Sequence, residues 1–253
     1  MMTLCRIYFA LILFSFTTLT HANNEYDAIE FRELNLSLIS AAKDGDIDTV
    51  KQRLKEGASI KARNRFGNTA LISATRAGSL DIVKLLIEKG ANVNMVNTNA
   101  ETALMNAASR GHDDILAYLI DNGADINKLS VKNLSALTEA VFASHVPIVK
   151  TLLKLYADVS VVDHSGKTAL NYAAANGNVE IIKLLVAHGA DVNRQTENDL
   201  TSLMWAVGYG KTEAVDALLK LGADPTIRDN RGLTALMIAK ENNYSEIVKL
   251  LKP

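Results

Sequence analysis

The chain has 253 residues, with 27 basic and 28 acidic side chains and 48% hydrophobic against 22% charged residues. That balance excludes a disordered acidic tail, a collagen-like chain and a multi-pass membrane protein. A formal net charge of −1 leaves a nucleic-acid partner without a basic footprint, and a single cysteine, Cys5, excludes an intramolecular disulfide or a cysteine-based zinc site.

Residues 1–22 differ from everything after them. Arg6 is the only charge before Glu25, residues 7–16 are apolar except for Ser15, and Thr20-His21-Ala22 places small residues around a cleavage point. A basic start, an apolar run of about 7–15 residues and a small-residue site form the layout of a secretory signal peptide. The run is shorter than the roughly 20 apolar residues that span a bilayer. Export is therefore expected, to the periplasm first and to the outside second, with Asn23 as the new first residue. The alternative is an uncleaved segment that tethers the protein to a membrane. Residues 23–30 are expected to be a linker.

From residue 31 onward the chain repeats. Gly57-Ala58 recurs as Gly90-Ala91, Gly123-Ala124, Gly189-Ala190 and Gly222-Ala223, always at 33 residues or a multiple, and the missing step falls on Tyr156-Ala157. Thr69-Ala70-Leu71 recurs in the same register as Thr102-Ala103-Leu104, Ser135-Ala136-Leu137, Thr168-Ala169-Leu170, Thr201-Ser202-Leu203 and Thr234-Ala235-Leu236, and reaches back to Leu36-Ser37-Leu38. Two ladders in one register divide the chain into units 31–63, 64–96, 97–129, 130–162, 163–195, 196–228 and a shortened 229–253.

Each unit has the same internal order. In 64–96, Phe66-Gly67-Asn68 reads as a turn and Thr69 as the cap of a short helix ending near Ala77. Gly78 breaks that helix, and Ser79 or Leu80 opens a second one whose stripe is Ile82, Val83, Leu85 and Leu86. Gly90 closes it in the left-handed conformation. No such unit buries its apolar face alone, so the units must stack.

The consensus G-x-T-A-L-x-x-A-x-x-x-G…I-V-K-L-L-x-x-G-A-x-V-N resembles the ankyrin repeat, over residues 31–253 and with period, element order and key residues all in agreement. The resemblance implies an all-α repeat solenoid: an ankyrin-repeat stack of helix-turn-helix units with β-hairpin fingers, a concave face and a convex one. The family's T-P-L-H tetrad here lacks its proline and its histidine. The last place is taken by Ile72, Met105, Thr138, Asn171, Met204 or Met237, so the histidine's hydrogen bonds between repeats do not carry over, and the methionines are expected to fill core space. The first and last units read as caps.

The fourth unit is irregular. Asn133, Ser144 and Tyr156 stand where other units have glycine, and Tyr156 is costly if its backbone is left-handed. Leu134 and Phe142 fall at groove-facing positions. This irregularity reads either as drift or as an anchor for a partner.

No catalytic constellation is present: no nucleophile elbow, P-loop or H-E-x-x-H. His112 and His145, one period apart, read as structural. An enzyme is not expected, nor a cofactor, a metal or a small-molecule substrate. What remains is a surface for a protein partner. In the family, finger tips and the exposed side of each first helix make such contacts. Carried onto this chain they are Arg65, Phe66, Arg76, Arg110, Lys132, Leu134, Phe142, Trp205 and Tyr209, of which the aromatic and arginine side chains most often carry binding energy. His164, Lys167 and Asn176 lie on the same surface. Trp205 reads equally well as packed between first helices. The competing uses of this surface are a periplasmic adaptor and a secreted bacterial effector that engages host proteins.

Overall fold

A computed structural model describes residues 27–252; the expected signal segment, its cleavage point and Cys5 lie outside the described residues. The described chain forms fourteen α-helices arranged as seven antiparallel pairs. They are α1 (27–44) with α2 (Ile47–Lys55), α3 (Ala70–Ala77) with α4 (Leu80–Glu88), and α5 (Ala103–Arg110) with α6 (Asp113–Asp121). Then come α7 (Ala136–Phe142) with α8 (Val146–Lys154), α9 (Ala169–Asn176) with α10 (Val179–Ala187), α11 (Ser202–Gly208) with α12 (Thr212–Lys220), and α13 (Ala235–Glu241) with α14 (Ser245–Leu251). First helices pack on first helices and second on second, unit after unit, so the core is one continuous layer between two rows.

Local chemistry sets each pair. The hydroxyls of Thr69, Thr102, Ser135, Thr168, Thr201 and Thr234 accept the backbone N–H three residues on, at 3.2–3.4 Å, and satisfy one donor that a helix start leaves free. The inner first helices, α3 to α11, are short and bury most of their length. In α5 every residue from Ala103 to Ala108 is buried. The second helices are amphipathic: α6 buries Ile115, Leu116 and Leu119 and turns Asp113 and Asp114 to solvent.

The turn inside each pair shows why glycine is used. At Gly111 the backbone is left-handed (φ 76°), and a Cβ there would meet the His145 ring at 2.6 Å. His112 lies the same way over Gly78. These two histidines are packing residues on the turn of the preceding unit. In the fourth unit the corresponding residue is Ser144, and one period beyond His145 stands the smaller Asn178, which instead caps α10 through the N–H of Ile181 at 3.1 Å.

Three details differ from the expectation. Residues 27–30, expected as linker, already belong to α1, which replaces the finger of the first unit with helix. The fingers themselves are tight turns rather than paired strands: among the described residues the single bridge is Val162 with Thr168, since four residues leave room for one turn and one closing bond. Met105 and Met204 are buried as expected, but Met237 is 40% exposed, because among the described residues no unit packs on the outer side of α13.

Tyr156 does adopt the left-handed conformation (φ 59°) and is 89% exposed. Such a backbone costs a side-chain-bearing residue roughly 1–2 kcal/mol, and an exposed ring recovers little of it. Tyr156→Gly should therefore raise stability by about 1 kcal/mol net of the added freedom of the unfolded chain. A urea midpoint that does not rise would refute this.

Candidate functional site

The fingers are built by one repeated side chain. Asn64, Asn97, Ser130, Asp163 and Asp229 each accept the N–H groups two and four residues ahead, at 2.8–3.3 Å. This Asx-type closure presents the three residues it encloses as a tip. Neighbouring tips are tied in a row by Thr98 to the carbonyl of Phe66, Val131 to Asn99, His164 to Lys132 and Asn230 to Asn198, at 2.8–3.1 Å. At Gly67 a Cβ would lie 2.7 Å from the Thr98 nitrogen, so that contact requires glycine. The fingers and first helices together form one wall and one floor of a concave face.

The expected partner residues fall into two groups on that face. Phe66, Arg76 and Arg110 line one depression of about 510 Å³, with Leu36, Ile39 and Lys43 of α1. Arg65 lies beside it, its guanidinium 4.6 Å from the Phe66 ring centre. The second group lies around the fourth to sixth units. Lys132, Leu134 and Phe142 line a depression of about 590 Å³ that also contains Glu139, Asp163, His164 and Tyr172. Phe142 and Tyr172 then form the boundary with a second hollow of about 570 Å³, which holds Lys167, Trp205 and Tyr209.

Aromatic rings run through this central groove. Phe142 meets Tyr172 edge to face at 5.5 Å, and Trp205 stacks on Tyr209 at 6.1 Å, geometries that stabilise ring pairs beyond area burial. The Lys167 ammonium lies 4.7 Å from the Trp205 ring and 5.5 Å from that of Tyr172. Phe142 and Tyr209 remain 62% and 57% exposed. Trp205 is half-buried, so it both packs on the stack and faces the groove.

Tyr172 is absent from the sequence-based set, although it stands one period before Trp205. Its hydroxyl donates to the Asp163 carboxylate. Burial pushes that carboxyl up, but hydrogen bonds from Tyr172, from the Lys167 and Ser165 N–H groups and from the Ser165 hydroxyl outweigh it and hold Asp163 below the usual carboxylate range. Glu139, one period before Tyr172, behaves oppositely. Burial pushes its carboxyl up, reinforced by the charge of Glu101 and opposed by a hydrogen bond from Ser109 and the charge of Lys132. A polar link between units also emerges where none was expected. Asn171, at the position of the family's histidine, accepts from Thr168 and donates to Ser202 of the next unit at 3.0 Å.

Among the described residues, no group of three or more histidine, cysteine or acidic side chains is placed to hold a metal ion, and no helix is long and apolar enough to cross a membrane.

Comparison with known proteins agrees with this geometry. The family description "Ankyrin repeats (3 copies)" matches residues 38–130 and 127–196, and "Ankyrin repeats (many copies)" matches 185–239. A solved ankyrin repeat domain, that of Bcl-3, described as a unique member of the IkappaB protein family, superposes with a TM-score of 0.71 at 27% identity, over 84% of this chain and 97% of that one. No curated protein matches by sequence.

Proposed function

Because the chain belongs to the ankyrin-repeat family, whose repeats are generally protein–protein interaction modules without catalytic activity, we propose that it binds a protein partner on the concave face formed by fingers and first helices. The observation that carries this is the run of Phe142, Tyr172, Trp205 and Tyr209 along one groove. Large aromatic rings clustered along one groove and left partly open, Phe142 and Tyr209 most of all, are what interface centres are made of. The surrounding Lys132, Leu134 and Lys167 supply the rim.

Phe142→Ser combined with Tyr209→Ser removes two exposed rings and leaves the core untouched. Partner capture by this variant should fall at least tenfold, equivalent to about 1.4 kcal/mol, while the helical dichroism of the folded array is retained and the melt falls only by what two lost ring pairs account for. Undiminished capture would refute the central groove as the site.

The layout of residues 1–22 supports export, with the partner met in the periplasm. N-terminal sequencing should return Asn23. A mature protein that still starts at Met1 would overturn that placement and favour a tethered adaptor.

A further inference from the structure

The first group of groove residues has a chemistry of its own. Its depression is lined by Lys43 from α1, Arg76 from the end of α3 and Arg110 from the end of α5, over an apolar floor of Leu36, Ile39 and Phe66. No acidic side chain lines it. Among the described residues none of these three cations forms an ion pair. Arg65 adds a fourth charge beside the floor, stacked on Phe66. On a chain of net charge −1, this is a local concentration of unneutralised positive charge around exposed apolar surface.

We infer that this end of the concave face receives an extended acidic segment of a protein partner, one that carries an apolar side chain among its carboxylates. The inference rests on the interaction-module reading and adds the partner's chemistry. Arginine forks at the ends of α3 and α5 match carboxylates in pairs, and Leu36, Ile39 and Phe66 take the apolar side chain. Opposite charge also steers the encounter, because field lines concentrate in a cleft of one sign.

A nucleic-acid strand fits this surface less well. Phosphate binding needs a track of cations, and the groove beyond the third unit turns to Glu139 and Asp163. An apolar floor also offers nothing to a phosphate backbone. An acidic peptide needs only the local cluster.

The test titrates the protein with a short fluorescein-labelled peptide of alternating glutamate and leucine, read by fluorescence anisotropy at low ionic strength. The peptide should bind, and raising ionic strength to about 0.15 M, where charges are screened beyond about 8 Å, should weaken it. Arg76→Glu with Arg110→Glu should lower affinity at least tenfold, at an unchanged thermal melt, while Phe142→Ser with Tyr209→Ser should leave it within about twofold. A peptide with glutamine for glutamate should fail to bind.

No binding of the acidic peptide overturns the inference. So does binding that the charge reversal leaves intact, equal binding of the glutamine peptide, or tighter binding of a single-stranded oligonucleotide of matched charge. If the peptide fails while partner capture still depends on Phe142 and Tyr209, this inference falls and the interaction-module reading stands.

Discussion

Leu152→Ala is expected to cost the fold about 3 kcal/mol and to divide the array. Leu152 is fully buried on α8, beside the equally buried Ile148, Val149 and Leu153. Truncating such a leucine typically costs about 2–5 kcal/mol, the transfer term plus the cavity left behind. The position matters as much as the residue. Units in a stack touch only their neighbours, so stability is a sum of units and of the interfaces between them. The fourth unit is central and already carries three left-handed residues with side chains, Asn133, Ser144 and Tyr156. Weakening it further should uncouple the units before it from those after it. The single tryptophan, Trp205, reports on the later half, while far-ultraviolet circular dichroism reports on all helices. In urea the variant should show a lower midpoint by dichroism, and the two probes should separate. Coincident curves with a loss below about 1 kcal/mol would refute both parts.

Asn171→Ala should have the next largest effect, a loss of about 2–3 kcal/mol. Asn171 is buried and does three things at once. Its carbonyl accepts the Thr168 N–H at 2.8 Å and the Thr168 hydroxyl at 3.0 Å, which completes a reciprocal cap on α9. Its amide donates across to Ser202 at the start of α11. Alanine leaves buried partners without bonds, and each such group costs roughly 1–3 kcal/mol. Asn176→Ala is the comparison: Asn176 reaches the Phe142 carbonyl from an exposed position, where water replaces the lost donor. A denaturation midpoint for Asn171→Ala no lower than that of Asn176→Ala would show that the link between units contributes nothing.

Much of this architecture was legible in the residues. The Thr-Ala-Leu ladder located every first helix after α1, and the hydroxyl at its head caps each one as its spacing implied. Gly78 marked a turn, and Tyr156 marked strain. The glycine positions and caps act within four residues of themselves, which is why they can be read from the chain. The candidate surface was partly legible for a related reason. Finger tips and helix ends fall at fixed places in the repeat, so Lys132, Leu134 and Phe142 converge on one depression, and Phe66, Arg76 and Arg110 on another.

What the chain does not display lies between units. Asn171 was expected to leave the histidine's bonds unmade, yet it makes one of its own, because Ser202 happens to stand at the facing start of α11. Tyr172 lies in an alanine-rich helix with no cap, glycine or charge to mark it. Its place in the column of Ser73, Asn106, Glu139 and Trp205 was available, but a column does not say which way a ring turns. Lys167 was placed on the surface without the two rings it covers. Residues 27–30 read as linker because helix α1 has no repeat partner from which to infer it.

The sequence by itself determined the period, the order of elements and the alternation of small and large apolar faces, because caps, breakers and hydrophobic spacing are local. Only the tertiary structure decided that the groove is aromatic at its centre and cationic at its first end. Those properties depend on side chains about 33 residues apart meeting across stacked helices. Their meeting is set by how closely one unit packs on the next, and alanine on the first helices and glycine in the turns permit that approach without specifying what it brings together.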